Sequence, residues 1–227
     1  MSWLERERSL IGADAVDKLK NSRVLVFGCG GVGGFAIEAL VRAGVGYLCV
    51  VDHDTVADSN LNRQIIATRD TVGRLKVEAV RSRAEAINPD IEVAAVAEFA
   101  DASNVQRIIA DAAPHFIIDA IDSVTSKLLI AECAVKNSIP MLASMGTGNK
   151  LDPSRFHITD ISKTHTCPLA RVMRRELGKR GISHLCVLFS DEQPVKTGMR
   201  EPASISFVPS VAGLMIAGHC IRSLTGV

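Results

Sequence analysis

Two basic residues in a polar stretch of the chain stand where they could neutralise a polyphosphate. Arg63 lies in SNLNRQ, residues 59–64, and Lys76 follows in GRLKVE. A guanidinium and an ammonium group that converge on phosphates stabilise the charge that develops when pyrophosphate leaves. A nicotinamide ring gives no reason for two cations at this place. The pair therefore favours a nucleoside triphosphate, and we predict Arg63 and Lys76 as catalytic residues.

A glycine-rich turn precedes these cations. Residues 27–34 read FGCGGVGG, in which Gly28, Gly30 and Gly33 satisfy the pattern G-x-G-x-x-G. Such a turn lets backbone N–H groups approach a phosphate at a helix N-terminus, where the helix dipole adds about half a positive charge. Asp52 ends the next apolar run, a position suited to hydrogen bonds with a ribose diol. Together they predict a nucleotide site without deciding which nucleotide.

The segment DAID supplies two further carboxylates, Asp119 and Asp122. A carboxylate at a strand end near phosphates is a suitable Mg²⁺ ligand, often through water. Asp122 lies nearer to the following helix, and we predict it as the metal ligand and as a catalytic residue. Asp119 is expected to support the sheet.

The elements that must position these residues alternate along the first part of the chain. Short apolar runs of strand character are separated by segments with apolar residues at helical spacing. This alternation predicts a doubly wound, Rossmann-like α/β fold with a mostly parallel sheet, whose ligands bind beyond the carboxyl ends of the strands. The predicted strands are SRVLVFG, GYLCVVD, IEVAAV, HFIIDAID and IPMLASMG.

The rhythm of the sequence changes after residue 150. FHITDI, a basic helix near residues 168–180, LCVLFSDE, ASISFV and an apolar terminal helix follow. We expect the strands among them to extend the same sheet with mixed direction, because no linker-like composition separates the halves. The prediction is one domain over residues 1–227, with a nucleotide-binding core at 1–150 and a substrate-side extension at 151–227.

Charge along the chain indicates one local basic surface. The formal net charge is only +1, so the protein as a whole does not attract anions. Residues 163–180, however, hold six lysines and arginines against one acid. Arg171, Arg174 and Arg175 share one helical face there, which fits nucleic-acid phosphates or a solvated charged face.

The cysteines argue against zinc and against disulfides. Six are present, none in a C-x-x-C pair, and several fall within apolar strand or helix patterns. Buried free thiols in a reducing compartment are the expectation, and with it a cytoplasmic location.

Neither end of the chain predicts a membrane segment. Charges at residues 5–8 interrupt the apolar run that a signal peptide needs. The apolar stretch SVAGLMIAGHCI, residues 210–221, is short and contains His219, so it is interpreted as a core helix.

Several motifs resemble those of the ubiquitin-activating-type adenylating enzymes, which include the molybdopterin- and thiamin-pathway adenylyltransferases. They are GCGGVGG, VDHDTV, SNLNRQ, VGRLKVE, INP and IDAID. More narrowly, IIDAIDSVTSK, LDPSRFHITDISKT and ISFVPSVAGLMIAG are similar to the tRNA threonylcarbamoyladenosine dehydratases. This resemblance implies ATP-dependent activation of a threonyl carboxylate on a tRNA adenosine, followed by ring closure within the same side chain.

The resemblance also implies roles for particular residues. Gly31 and its neighbours would line the phosphates, Asp52 would hold the ribose, and Asp122 would lie near the metal. The cofactor-binding set is Gly28, Gly30, Gly31, Gly33, Asp52, Asp54, Ser59, Asn60, Asn62, Arg63, Gln64, Lys76, Asp122 and Ser123.

Partners are implied as well. In the superfamily an arginine near the N-terminus of a partner subunit reaches the triphosphate, and Arg6 in RERSLIG matches it best, with Arg8 as an alternative. The implied assembly is a homodimer. The basic face with Arg171, Arg174 and Arg175 becomes a candidate tRNA surface, and a sulfur-transfer protein stays open as a further partner.

Two other functions remain open from the sequence. One is an adenylyltransferase that activates the C-terminal glycine of a ubiquitin-like sulfur carrier, with Cys167 or Cys186 as acceptor. Cys167 stands in KTHTCPLA where close relatives carry Asp. The other, weaker alternative is a nicotinamide-binding oxidoreductase or a regulatory nucleotide sensor.

Overall fold

One seven-stranded sheet forms the centre of the molecule. We describe residues 3–199 and 201–227 of a computed structural model. The strand order is β3-β2-β1-β4-β5-β7-β6, and every neighbouring pair is parallel except β6 with β7. The strands are β1 Arg23–Phe27, β2 Tyr47–Val51, β3 Glu92–Val96, β4 Phe116–Asp119, β5 Met141–Ser144, β6 Phe156–Asp160 and β7 Cys186–Ser190. The predicted doubly wound α/β fold with mixed C-terminal strands is confirmed.

Helices cover both faces of the sheet because the central strands are apolar on both sides. All five residues of β2 are buried, and so are all four of β4. Two separate hydrophobic clusters result, one on each face. The helices are α1 Glu5–Ile11, α2 Ala13–Lys20, α3 Gly33–Arg42, α4 Lys76–Ile87, α5 Val105–Ala112, α6 Val124–Lys136, α7 Pro168–Gly178 and α8 Phe207–Thr225.

The terminal helix α8 packs closely against α3. Gly213 makes this approach possible, since a Cβ there would overlap the carbonyl oxygen of Val32 and lie 2.9 Å from the amide nitrogen of Ala36. With 19 residues, α8 is longer than the predicted run and could cross a membrane by length and composition alone. Of its most apolar window, 44% is buried within the protein, and its packing on α3 is that of a core helix.

The expectation that ASISFV forms a strand is wrong. Residues 203–206 are irregular and Phe207 already begins α8. The backbone of Ala203 finds its partners in Asn149 instead of in a strand, because its N–H donates to the Asn149 side chain at 2.7 Å and its carbonyl accepts from the Asn149 N–H at 2.8 Å.

A fully buried ion pair fixes the carboxyl end of β4. Lys127 of α6 places Nζ 2.9 Å from Oδ2 of Asp119, and both side chains are wholly excluded from solvent. Lys127 also donates to the carbonyl of Ile121 at 3.2 Å, while the Ile121 N–H donates to Asp119 at 3.3 Å. Burial raises the pKa of Asp119, and the lysine charge opposes that rise. Asp119 thus supports the sheet end, as expected, with a partner that the sequence analysis missed.

Replacing Lys127 by Met leaves the Asp119 carboxylate buried without a counter-charge. The expected loss in the free energy of unfolding is about 3–5 kcal/mol, measured by urea denaturation. The double variant with Asp119→Ala should recover most of that loss, since it removes both charges. A double variant as unstable as Lys127→Met would contradict this account.

The Lys127→Met variant should also lose stability as pH rises. A carboxyl whose folded-state pKa is raised binds its proton more tightly in the folded than in the unfolded state, so its stabilising contribution is present at low pH and lost through the folded pKa. The free energy of unfolding is therefore expected to be lower at about pH 8 than at about pH 5.

Candidate nucleotide site

The glycine turn between β1 and α3 lies against the end of β4. Gly28 has φ +94°, and a Cβ there would lie 2.7 Å from the carbonyl oxygen of Ala120. A Cβ at Gly33 would overlap the carbonyl oxygen of Gly28. These two glycines are therefore required by the fold itself.

Gly30 has no such structural reason to be glycine. A Cβ at this position would meet only Nε2 of Gln64, at an ordinary contact distance of 3.7 Å. The half-buried Gly30 backbone at the start of a helix is instead suited to close approach by a phosphate. Gly31 lies beside Pro209, whose Cβ would be 3.1 Å from an added methyl group.

Asp52 is fixed by two backbone N–H groups. Its Oδ2 accepts from Cys29 in the glycine turn at 2.7 Å, and its Oδ1 accepts from Asp54 at 2.9 Å. The carboxylate is thus held next to the turn with further acceptor capacity, as a ribose-binding aspartate requires.

Lys76 is brought to the same place by Asp54. Lys76 is 6% exposed, and its Nζ lies 2.7 Å from Oδ2 of the half-exposed Asp54. Burial by itself raises the pKa of Asp54, but the hydrogen bond and charge of Lys76 outweigh it and lower the pKa overall. The charge of Lys76 acts on Cys29 in the turn, where it opposes the rise in pKa caused by burial and by Asp52. Lys76 thus lies near Asp52 and the glycine turn, and its role toward a nucleotide stays a prediction.

Asp52, His53 and Asp54 place their ligand atoms within 4.8 Å of one another. This geometry resembles a metal cluster, which the sequence did not suggest for His53. The carboxylates already have partners, however, because Asp52 accepts two N–H groups and Asp54 lies between Lys76 and His53. Asp54 is thus the direct partner of Lys76, and Asp52 and His53 lie next to it.

The SNLNRQ segment folds into a tight turn beside the glycines. Asn60 accepts the N–H of Ala57 at 3.0 Å and shapes this turn. Arg63 donates from Nη1 to the carbonyl of Ser59 at 2.7 Å and to Oδ1 of Asn62 at 2.8 Å. The Arg63 carbonyl oxygen would lie 3.5 Å from a Cβ on Gly31, which brings its backbone to the turn.

Gln64 lies beneath Gly30 with an unsatisfied polar atom. The residue is 7% exposed, and its buried Oε1 has no hydrogen-bond partner in the part of the chain described. A buried acceptor without a donor costs about 1–3 kcal/mol, so this oxygen is suited to a ligand that brings a donor.

Asp122 and Ser123 follow the end of β4. Asp122 is exposed, and its side chain has no hydrogen bond or ion pair with residues 3–199 or 201–227. Ser123 is engaged in the fold, since it caps α6 by accepting from the N–H of Ser126 at 3.4 Å and from the Ser126 hydroxyl at 3.0 Å. Asp122 is the freer of the two to bind a ligand.

The N-terminal arginines lie away from the site within one chain. Leu4, just before α1, packs against Gly44, which precedes β2 at the edge of the sheet opposite the glycine turn. Arg6 is exposed and makes no hydrogen bond or ion pair among the residues described, while Arg8 lies 3.3 Å from Asp17. One protomer does not bring Arg6 to the nucleotide.

The predicted basic face is on α7, beside a cleft of about 710 Å³ lined by His165, Thr166, Cys167, Pro168, Arg171, Val172, Arg174 and Arg175. The three arginines of this face differ in whether their side chains already bond to the protein. Arg174 donates to both oxygens of Thr164 at 2.7 Å, and Arg175 bonds to Glu176 at 3.0 Å. Arg171 has no side-chain partner within the described residues.

Sequence reasoning missed Lys127 and Asn149. A lone lysine inside the apolar helix SVTSKLLIAEC, close after two aspartates, was the available signal for Lys127. Asn149, which has φ +58° and bonds to Ala203, carries no local signal because its partner is distant in sequence.

Comparison with known proteins finds one family and similar enzymes that share one name. The model of the ThiF family matches residues 4–227. A tRNA threonylcarbamoyladenosine dehydratase from Bacillus subtilis (strain 168) is 41% identical, over 96% of this chain and 93% of its own. The enzyme of that name from Escherichia coli (strain K12) is 40% identical over 78% of this chain and 66% of its own.

Solved structures agree with these relatives. Crystal structures of the Escherichia coli tRNA N6-threonylcarbamoyladenosine dehydratase in complex with ATP and with AMP each match with a TM-score of 0.91 and 32% identity. The match covers 96% of this chain and 92% of that one.

The contrast between Gly30 and Gly33 can be tested by alanine substitution. Gly30→Ala should change the free energy of unfolding by less than about 1 kcal/mol while weakening ATP binding at least about tenfold, because the new methyl group occupies the phosphate's approach. Gly33→Ala should destabilise the fold by more than about 3 kcal/mol, because it overlaps backbone. Calorimetry and thermal unfolding measure both effects. If Gly30→Ala bound ATP with unchanged affinity, this turn would not be the phosphate site.

Proposed function

The chain belongs to the ThiF family, and from this premise we propose that it is an ATP-dependent tRNA threonylcarbamoyladenosine dehydratase. The identity of 41% over almost the whole chain supports this substrate. The observation that carries the adenylation chemistry is the buried Lys76, held by Asp54 next to a glycine turn whose Gly30 is free for a phosphate.

The first step forms a mixed anhydride. An oxygen of the threonyl carboxylate attacks the α-phosphorus of ATP, and the bond from that phosphorus to the bridging oxygen breaks as pyrophosphate leaves. Arg63 and Lys76 neutralise the charge that develops on the departing group. Asp52 holds the ribose, and the donor needed by the buried Gln64 oxygen comes from the nucleotide.

The second step closes a ring. A nucleophilic atom of the same modified side chain attacks the activated carbonyl and loses its proton, while AMP leaves with the former carboxylate oxygen. The tRNA loses the elements of one water, and the sequence of steps uses no acceptor cysteine.

The carboxylate of Asp122 is a suitable ligand for a magnesium ion. Asp122 presents an exposed carboxylate after the end of β4 that has no partner within residues 3–199 and 201–227. Mg²⁺ prefers carboxylate and phosphate oxygens, and when bound it supplies positive charge to the polyphosphate. Asp122 would hold it directly or through water.

The remaining parts of the site involve partners. Arg6 has no side-chain partner among the residues described, and α1 begins at the edge of the sheet opposite the glycine turn. This placement is consistent with action on a second protomer, so we include a homodimer in the proposal. On the basic face, Arg171 is the best phosphate contact, since Arg174 and Arg175 already serve protein groups. The proposal also includes a cytoplasmic location and a sulfur-transfer protein as a further partner.

A second candidate is activation of a carrier protein. An adenylyltransferase and sulfurtransferase from the yeast Vanderwaltozyma polyspora is 35% identical over 69% of this chain, which spans 35% of that protein. In this alternative Cys167, at the N-cap of α7, would accept the activated carboxylate.

Lys76→Met should lower ATP–pyrophosphate exchange, measured with threonylcarbamoyladenosine-containing tRNA, by about 10²–10³-fold. The fold should change by no more than about 1 kcal/mol, because Asp54 remains half exposed to water. Lys136→Met, on an exposed lysine at the end of α6, is the control and should retain full exchange. Exchange by Lys76→Met at the control's rate would argue against the proposed role.

Cys167→Ala separates the two candidate functions. The Cys167 side chain makes no capping hydrogen bond, so the variant should fold and keep its activity if the ring closes directly. Mass analysis of tRNA nucleosides should show the loss of one water with both proteins. A folded but inactive Cys167→Ala enzyme would favour the carrier-protein reaction.

A further inference from the structure

The residues between β7 and α8, numbered 191–199 and 201–206, form a connection that is fixed at the carboxyl end of β5. Asn149 bonds to this β7–α8 connection three times, because its N–H and side chain pair with Ala203 and its carbonyl accepts from Val195 at 2.7 Å. Pro202 lies so close that a Cβ on Gly148 would be 2.6 Å from it.

The first part of the connection is fixed equally well. The Glu192 carboxylate accepts the N–H groups of Leu151 and Asp152 at 2.9 and 3.1 Å. The buried Lys150 donates to the Glu192 carbonyl at 2.6 Å. The connection therefore lies along the loop that follows β5 and belongs to residues 151–227, the predicted substrate-side extension.

Near α8, the connection bonds to Asn62, the residue before Arg63 in the predicted nucleotide site. Asn62 donates from Nδ2 to the carbonyl of Ser204 at 3.1 Å, and its Oδ1 accepts from Nη1 of Arg63 at 2.8 Å. Because one amide group makes both bonds, its orientation depends on Arg63 and on the connection together.

Arg63 can bind phosphate without giving up this contact. A guanidinium has five N–H donors. Both donors on Nη1 are used, for Ser59 and for Asn62. Those on Nη2 and Nε have no partner among the residues described, and they are available to phosphate oxygens.

We infer that Asn62 is a positioning residue that couples nucleotide occupancy at Arg63 to the order of the β7–α8 connection, and so to binding of the RNA substrate. The inference rests on the proposed function for the identity of that substrate. A polyphosphate that fixes Arg63 also fixes the Asn62 amide, and the Ser204 carbonyl is then held beside the site. Asn62 in this role acts through Arg63 without contacting ATP.

The test compares three variants by steady-state kinetics and hydrogen exchange. Asn62→Ala removes both amide bonds, and Asn149→Ala frees the connection but leaves the contact between Arg63 and Asn62. Asn137→Ala is the matched control, since that asparagine donates within its own helix, to the carbonyl of Cys133 and to its sulfur at 3.5 Å. Asn62→Gln keeps both amide functions and should restore part of the activity. Thermal unfolding confirms that each variant is folded.

In the unsubstituted protein, α,β-methylene ATP should slow hydrogen exchange of the backbone amides in residues 201–206. Asn62→Ala should lose this nucleotide effect and raise the KM for tRNA about fivefold to tenfold, the value of one hydrogen bond, while its Kd for ATP measured without tRNA changes less than about twofold. Asn149→Ala should raise the KM for tRNA similarly, and Asn137→Ala should change neither constant.

Other outcomes are equally decisive. A raised KM for ATP in Asn62→Ala, with the KM for tRNA unchanged, would make Asn62 a direct ATP ligand and overturn the inference. So would a nucleotide effect on residues 201–206 that survives in Asn62→Ala. If the original protein shows no pyrophosphate exchange with any tRNA, the proposed function fails, while loss of the nucleotide effect in Asn62→Ala would still support the coupling.

Discussion

The carboxyl edge of the sheet depends on a pair of charges that the solvent does not reach. Asp119 ends β4 and Lys127 comes from α6, and between them they hold the N–H and the carbonyl of Ile121. The adjacent Ala120 carbonyl faces Gly28 at a distance that leaves no room for a side chain. The ion pair therefore fixes the loop that presents Asp122 and, through backbone contact, the glycine turn opposite it. A buried ion pair contributes little net stability compared with apolar residues, so its value here is geometric.

The site divides into residues that the fold needs and residues that only a ligand explains. Close backbone contacts explain the glycines at positions 28 and 33, and the cap of α6 explains Ser123. No such role explains the missing side chain of Gly30 or the Oε1 of Gln64, because a methyl group would fit at Gly30 and the buried Gln64 oxygen has no donor among the residues described. Features of this second kind point to a bound molecule more directly than a motif does, since the folded chain gains nothing from them.

The sequence predicts the first five strands because their signals are local: each is a short apolar run, and segments of helical spacing separate them. It misplaces ASISFV because alternation suggested a strand, whereas the backbone of Ala203 bonds to Asn149, far away in the chain. The same limit applies within the site. The sequence pattern places the cationic Arg174 on a helix, but only the fold shows that its guanidinium donates to both oxygens of Thr164. Lys127 was missed because one charge in an apolar helix has meaning only beside its partner.

Both candidate catalytic cations donate hydrogen bonds to protein acceptors. Lys76 is almost fully buried, and a buried ammonium group needs a counter-charge, which Asp54 provides. Asp54 is itself half exposed, so water can solvate its carboxylate when Lys76 turns to a phosphate. Arg63 uses both Nη1 donors on the protein, and those on Nη2 and Nε have no partner among the residues described. For Lys76 the protein orders the cation in advance, so the ligand need not supply the entropy of fixing this flexible side chain. Such an arrangement favours stabilisation of a departing pyrophosphate over mere attraction of anions.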